Sequence, residues 1–95
     1  MTITFQHLSL DRNGTIEIAG RGIRAYDVLT YRREGDTPEE IAEAYALPLP
    51  AVYEALAYAT EHPDQMEAMR ARDEQAYHEI LRALPAELRD DRSLP

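Results

Sequence analysis

Cysteine is absent from this 95-residue chain, which excludes a disulfide framework and any thiolate metal site. Lysine is absent too, so all ten cations are arginine. That side chain suits bidentate pairing with carboxylate or phosphate, although codon bias accounts for an all-arginine set equally well. No window approaches the roughly 18 uninterrupted apolar residues of a membrane span. Residues 1–6, Met-Thr-Ile-Thr-Phe-Gln, lack the basic-then-apolar layout of a secretory signal. No membrane association is expected, and a cytoplasmic location is. There is no glycine-rich phosphate loop and no His-Glu-x-x-His pattern, and the three histidines, His7, His62 and His78, are scattered. Glu74 and His78 stand four apart on a predicted helix, but two ligands do not make a metal site. With no nucleophile assembled and no cofactor motif, the chain reads as a non-enzyme that carries neither metal nor cofactor.

What is present is acid, unevenly spread. The net charge is −8, yet residues 1–35 hold five arginines against four acids, so residues 36–95 carry −9. Only the N-terminal third has the balance to face phosphates.

Alternation of Leu8 and Leu10, then Ile16 and Ile18, around Asp11-Arg12-Asn13-Gly14 predicts a β-hairpin with those four side chains on one face. Ile3 and Phe5 would extend it. Gly20-Arg21-Gly22 marks a turn or bulge, after which helices begin. A first helix is expected over residues 26–34, with Val28, Leu29 and Tyr31 inward and Gly35 as its stop. Thr37-Pro-Glu-Glu40 fits a capping box with proline in the first turn, and Ile41, Ala42 and Tyr45 form the apolar face of the second helix. A third follows over residues 50–61, with Val52, Ala55, Leu56 and Ala59 in a buried stripe. Leu47 plugs the corner between the second and third, with Ala46 where glycine is common. His62-Pro63 breaks the pattern, and residues 64–84 form a long amphipathic helix with Met66, Met69, Tyr77, Ile80, Leu81 and Leu84 three or four apart and Asp73 as the polar interruption. The chain thus divides into a hairpin plus helix-turn-helix-like unit over residues 1–62, an amphipathic helix over 63–84, and a flexible tail over 85–95. The fold class is mostly α with a short N-terminal β-hairpin, a three-helix helix-turn-helix-like core and a long C-terminal helix.

Two sets of residues are candidates for binding. Arg21, Arg24, Arg32 and Arg33 are the ones able to meet a DNA backbone, joined by Tyr53 on the exposed start of the third helix. That helix otherwise offers Pro50, Ala51 and Glu54, a poor head for reading bases. The second set is the stripe Met66, Met69, Tyr77, Ile80 and Leu84. It serves as core, as a seam for a second copy, or as an adaptable face for another protein, and periodicity does not choose among these.

The order Ile16-x-Ile18-x-Gly20, Gly22-Ile23-Arg24, Gly35-Asp-Thr-Pro-Glu-Glu-Ile-Ala42, Val52-x-x-Ala55-Leu56-x-Tyr58 and His62-Pro63 resembles the bacterial domain-of-unknown-function 433 family. Its members are regarded as antitoxin-like proteins of the VapB type. Where that family usually shows Gly-Thr-Arg-Ile-x-Val, this chain has Gly20-Arg-Gly-Ile-Arg-Ala25. The resemblance implies a homodimer that neutralises a PIN-like ribonuclease toxin and binds operator DNA. The toxin-facing groups would be Met66, Met69, Tyr77, Ile80 and Leu84 as anchors, with Glu87, Asp90 and Asp91 toward cations of the toxin's cleft. The competing expectations are a homodimeric scaffold protein and a helix-turn-helix regulator without a toxin.

Overall fold

A computed structural model describes residues 5–88. Strands β1 (Leu8–Leu10) and β2 (Ile16–Ile18) form the expected antiparallel hairpin, with Leu8 opposite Ile18 and Leu10 opposite Ile16. Asp11 organises its turn: one carboxylate oxygen accepts the amides of Asn13 and Thr15 at 2.8 and 2.9 Å, leaving Gly14 to take the left-handed conformation at φ +79°. Ile3 lies outside the described residues, and Phe5 belongs to no strand, its ring meeting Tyr58 edge-on at 5.8 Å.

The sheet has a third strand that the sequence pattern did not reveal. β3 (Ile23–Arg24) pairs antiparallel with β2 and places Ile23 opposite Ile18. Gly20 and Gly22 both adopt positive φ and fold the chain back tightly; a strand of two residues is too short to show alternation.

Helix α1 (Ala25–Arg33) follows directly. Asp27 in its first turn reaches back to the Arg24 amide at 2.9 Å, and Arg32 and Arg33 sit at the negative end of the helix dipole. Helix α2 (Pro38–Ala44) begins with the predicted capping box: Thr37 Oγ1 accepts the Glu40 amide, and Glu40 accepts the Thr37 amide. Helix α3 (Leu49–Glu61) buries Ala51, Val52, Ala55 and Ala59, small residues that let α1 approach closely. Val28, Ile41 and Val52 are the largest fully buried side chains, worth about 1.5–3 kcal/mol each by transfer. Leu47 closes the corner between α2 and α3 at 6 % exposure.

Two residues expected on apolar faces, Leu10 and Tyr45, are exposed. Leu10 is 66 % exposed, because no helix covers the turn end of edge strand β1. Tyr45 lies past the end of α2 and is 40 % exposed, its ring stacked on Tyr31 at 4.8 Å.

Helix α4 (Pro63–Ala83) has 21 residues, about 31 Å at 1.5 Å per residue. It accounts for the elongation of the molecule, 52 × 27 × 22 Å. After α4 the chain makes a 3₁₀ turn, Ala86–Leu88, closed by the Leu88 amide on the Pro85 carbonyl at 2.9 Å; the rest of the expected tail, residues 89–95, lies outside the described residues.

Candidate functional site

The base of α4 is fixed by side chains of α3, of α4 and of the corner between them. His62 stacks on Tyr58 at 4.0 Å, and its Nδ1 lies 2.9 Å from the Tyr58 carbonyl. The Tyr58 hydroxyl donates to Gln65 at 2.5 Å. One turn on, Met66 and Met69 are each 7 % exposed. They are therefore core residues of this chain, not surface anchors for a partner: the first half of the amphipathic stripe is spent on holding the helix to its own body.

The last contact with the body is an ion-pair cluster. Arg24 faces two carboxylates at once, meeting Asp73 through Nη1 at 2.9 Å and Nη2 at 2.7 Å, and Asp27 through Nε at 3.1 Å and Nη2 at 2.7 Å. Hydrogen bonds to Asp73 and then Asp27 drive the Arg24 pKa well above its ordinary value despite partial burial. The Arg24 hydrogen bonds hold the Asp73 carboxyl below its usual range. Arg24 is thus committed to this cluster, which leaves its planar fork no face for a phosphate. Asp73 was legible only as an interruption of the stripe; an acid within an apolar seam calls for a cation from another element.

Beyond Asp73 the helix runs free of the described body. Tyr77 is 60 % and Ile80 58 % exposed, and Leu88 in the following turn is 65 % exposed. Leu81 and Leu84 are half-buried on the same stripe. Glu87 is exposed, while Asp90 and Asp91 lie outside the described residues. Residues 74–88 carry Glu74, Glu79 and Glu87 against Arg82 alone. Arg70 bridges Glu67 and Glu74, and Glu74 stands 3.8 Å from His78. The arm is an apolar ridge with acidic flanks.

The candidate DNA residues do not gather into one surface of the same kind. Arg21 donates to the Ala46 carbonyl at 3.0 Å and so ties the β2–β3 turn to the α2–α3 corner. Arg32 and Arg33 are exposed at the end of α1 and have no ion-pair partner among the described residues. Tyr53 donates to Glu39 at 3.1 Å, and that hydrogen bond raises the tyrosine pKa. Next to it, Glu54 accepts the His7 amide at 2.9 Å and contacts the His7 ring. The start of α3 therefore presents carboxylates beside its tyrosine.

Among the described residues no three His, Asp or Glu side chains stand close enough to hold a metal, and no helix is long and apolar enough to cross a membrane. A crevice of about 180 Å³ lies between the hairpin turn and α4, floored by Tyr26, Met66 and Met69. It is smaller than the roughly 300–1,000 Å³ usual for small-molecule sites.

A family model described as a protein of unknown function, DUF433, matches residues 12–59. The chain belongs to the DUF433 family. In this member the matched region runs from the hairpin turn nearly to the end of α3, so the whole of α4 and its projecting arm lie beyond it. No curated protein and no solved structure matches the chain significantly.

Proposed function

We propose that this DUF433 protein is an antitoxin-like binding protein whose compact body displays the second half of α4 to a partner protein, a PIN-like ribonuclease. The observation that carries the reading is the split in the helix at Asp73. The apolar stripe resumes past Asp73 with Tyr77 and Ile80, yet of its members on α4 only Met66 and Met69 are buried by the chain itself. A monomer gains nothing from exposing Tyr77 and Ile80 on one projecting ridge. An amphipathic helix laid into a groove of another protein buries such a ridge through anchors three and four residues apart. The acidic flanks favour a groove with basic walls, as a ribonuclease needs for RNA, and would act mainly on association rate.

The test is co-expression with a PIN-like protein encoded in the neighbouring reading frame, read by co-purification and by loss of ribonuclease activity. Changing Tyr77→Glu and Ile80→Glu should leave the body folded, because both side chains are exposed, and should weaken binding by about 30-fold or more, the effect of losing central anchors. Undiminished inhibition by that double variant would show that the partner docks elsewhere.

A further inference from the structure

We infer that Arg24 is a positioning residue: its fork onto Asp73 and Asp27 sets the direction in which the arm of α4 projects from the body. Three observations carry this. Asp73 is the last residue of α4 with a contact to the body among the described hydrogen bonds and ion pairs, and Arg24 meets both of its oxygens. Arg24 is itself fixed, because its backbone amide and guanidinium both bond Asp27 in the first turn of α1, and its guanidinium lies 5.5 Å from the Tyr26 ring. The cluster therefore joins the end of β3, the start of α1 and the middle of α4 through one rigid, planar group.

The lever explains why one cluster matters. The helix pivots at His62 and Pro63, where the Tyr58–His62 stack marks the corner. Asp73 is ten residues from Pro63 and Ala83 twenty, so at 1.5 Å per residue the latch acts about 15 Å and the tip about 30 Å from the pivot. Any play at Asp73 is doubled at the tip. Met66 and Met69 grip closer to the pivot, and apolar contact between flexible methionines is non-directional. The fork supplies the angular restraint that they do not. The residue that sequence reasoning offered to phosphate thus serves the protein partner, by holding Tyr77 and Ile80 in one orientation before binding.

Its functional meaning rests on the partner-binding reading, but its test uses the chain alone. The protein has no cysteine, so Glu43→Cys on α2 and Glu79→Cys on α4, both exposed, accept a pair of nitroxide labels for pulsed dipolar EPR. The labelled chain should give a single narrow distance distribution. Arg24→Ala should broaden it clearly, because play at Asp73 is magnified about 1.6-fold at residue 79, and Arg24→Lys, which keeps the charge and loses the fork, should broaden it by a lesser amount. Val28→Ala, a core change that lowers stability without touching the latch, should leave the width unchanged. Unaltered widths in both Arg24 variants overturn the inference, as does equal broadening in Val28→Ala. Should Arg24→Ala fail to fold, the width in Arg24→Lys decides alone. Unaltered widths in the Arg24 variants would remove this inference and leave the partner reading standing; broadened widths in a chain that binds no PIN-like partner would do the opposite.

Discussion

Helices α1 and α2 end in the same way with different residues, and exchanging those residues should move stability in opposite directions. After α1, the Gly35 amide donates to the Arg32 carbonyl at 3.2 Å and the Asp36 amide to Tyr31 at 3.2 Å. After α2, the Ala46 amide donates to Glu43 at 3.4 Å and the Leu47 amide to Ala42 at 2.8 Å. Both are Schellman closures, which require positive φ at the residue after the cap. Gly35 supplies it at +113°, whereas Ala46 is forced to +54°. An L-residue in that region carries about 1–2 kcal/mol of backbone strain, and replacing it by glycine gives back about 0.4–1 kcal/mol through the freer unfolded chain. Ala46→Gly should therefore stabilise by about 0.5–1 kcal/mol, the difference of those two effects. Gly35→Ala should destabilise by a similar amount, and by backbone conformation alone, since a Cβ there meets nothing within 4 Å. For a domain of this size each change should shift Tm by about 3–6 °C, in opposite directions. Urea unfolding followed by far-ultraviolet circular dichroism measures both, with unchanged slope as the sign that only stability moved. A destabilised Ala46→Gly, or shifts of the same sign, would show that the Ala46 geometry is not a source of strain.

Thr37→Ala removes the acceptor that opens α2 and should cost about 1 kcal/mol by the same unfolding measurement. The pH dependence has a defined sign. Burial works to raise the Glu54 carboxyl, but the His7 amide and ring outweigh it and hold it below its ordinary value; hydrogen bonds from Arg24 do the same for Asp73. Carboxylates depressed on folding stabilise the native state above their unfolded pKa of about 4, and that contribution is lost as pH falls through the lowered values. The stability gap between the natural chain and Asp73→Asn, present at pH 7, should accordingly close in acid. A gap that stayed constant through the acid range would mean that Asp73 does not act through its charge.

The helical skeleton was legible because its signals are local. Thr37, Pro38 and Glu40 mark the start of α2, Gly35 ends α1, and the three- and four-residue spacing of Val52, Ala55 and Ala59 defines the inner face of α3. The hairpin was legible for the same reason, through Asp11, Gly14 and the alternation on either side. What escaped depends on contacts distant in sequence. β3 exists because two positive-φ glycines bring Ile23 opposite Ile18, and no periodicity shows in two residues. The division of the α4 stripe into a buried and a projecting half depends on where the body ends, which is set by Arg24 meeting Asp73 across 49 positions. That is why Met66 and Met69 read like Tyr77 and Ile80 in the sequence, and why Arg24 read like Arg32. The exposure of Leu10 and Tyr45 likewise follows from which neighbours cover them.

Hydrogen exchange on the chain, alone and mixed with a PIN-like ribonuclease from the neighbouring reading frame, tests the partner surface most directly. If the projecting half of α4 is the docking ridge, amides in residues 74–88 should exchange quickly in the free chain and slow markedly in the complex, while those at the start of α3, residues 49–54, should not change. Protection of residues 49–54 with the arm unaltered would place the partner on the helix-turn-helix face and contradict the reading of α4 as the binding element.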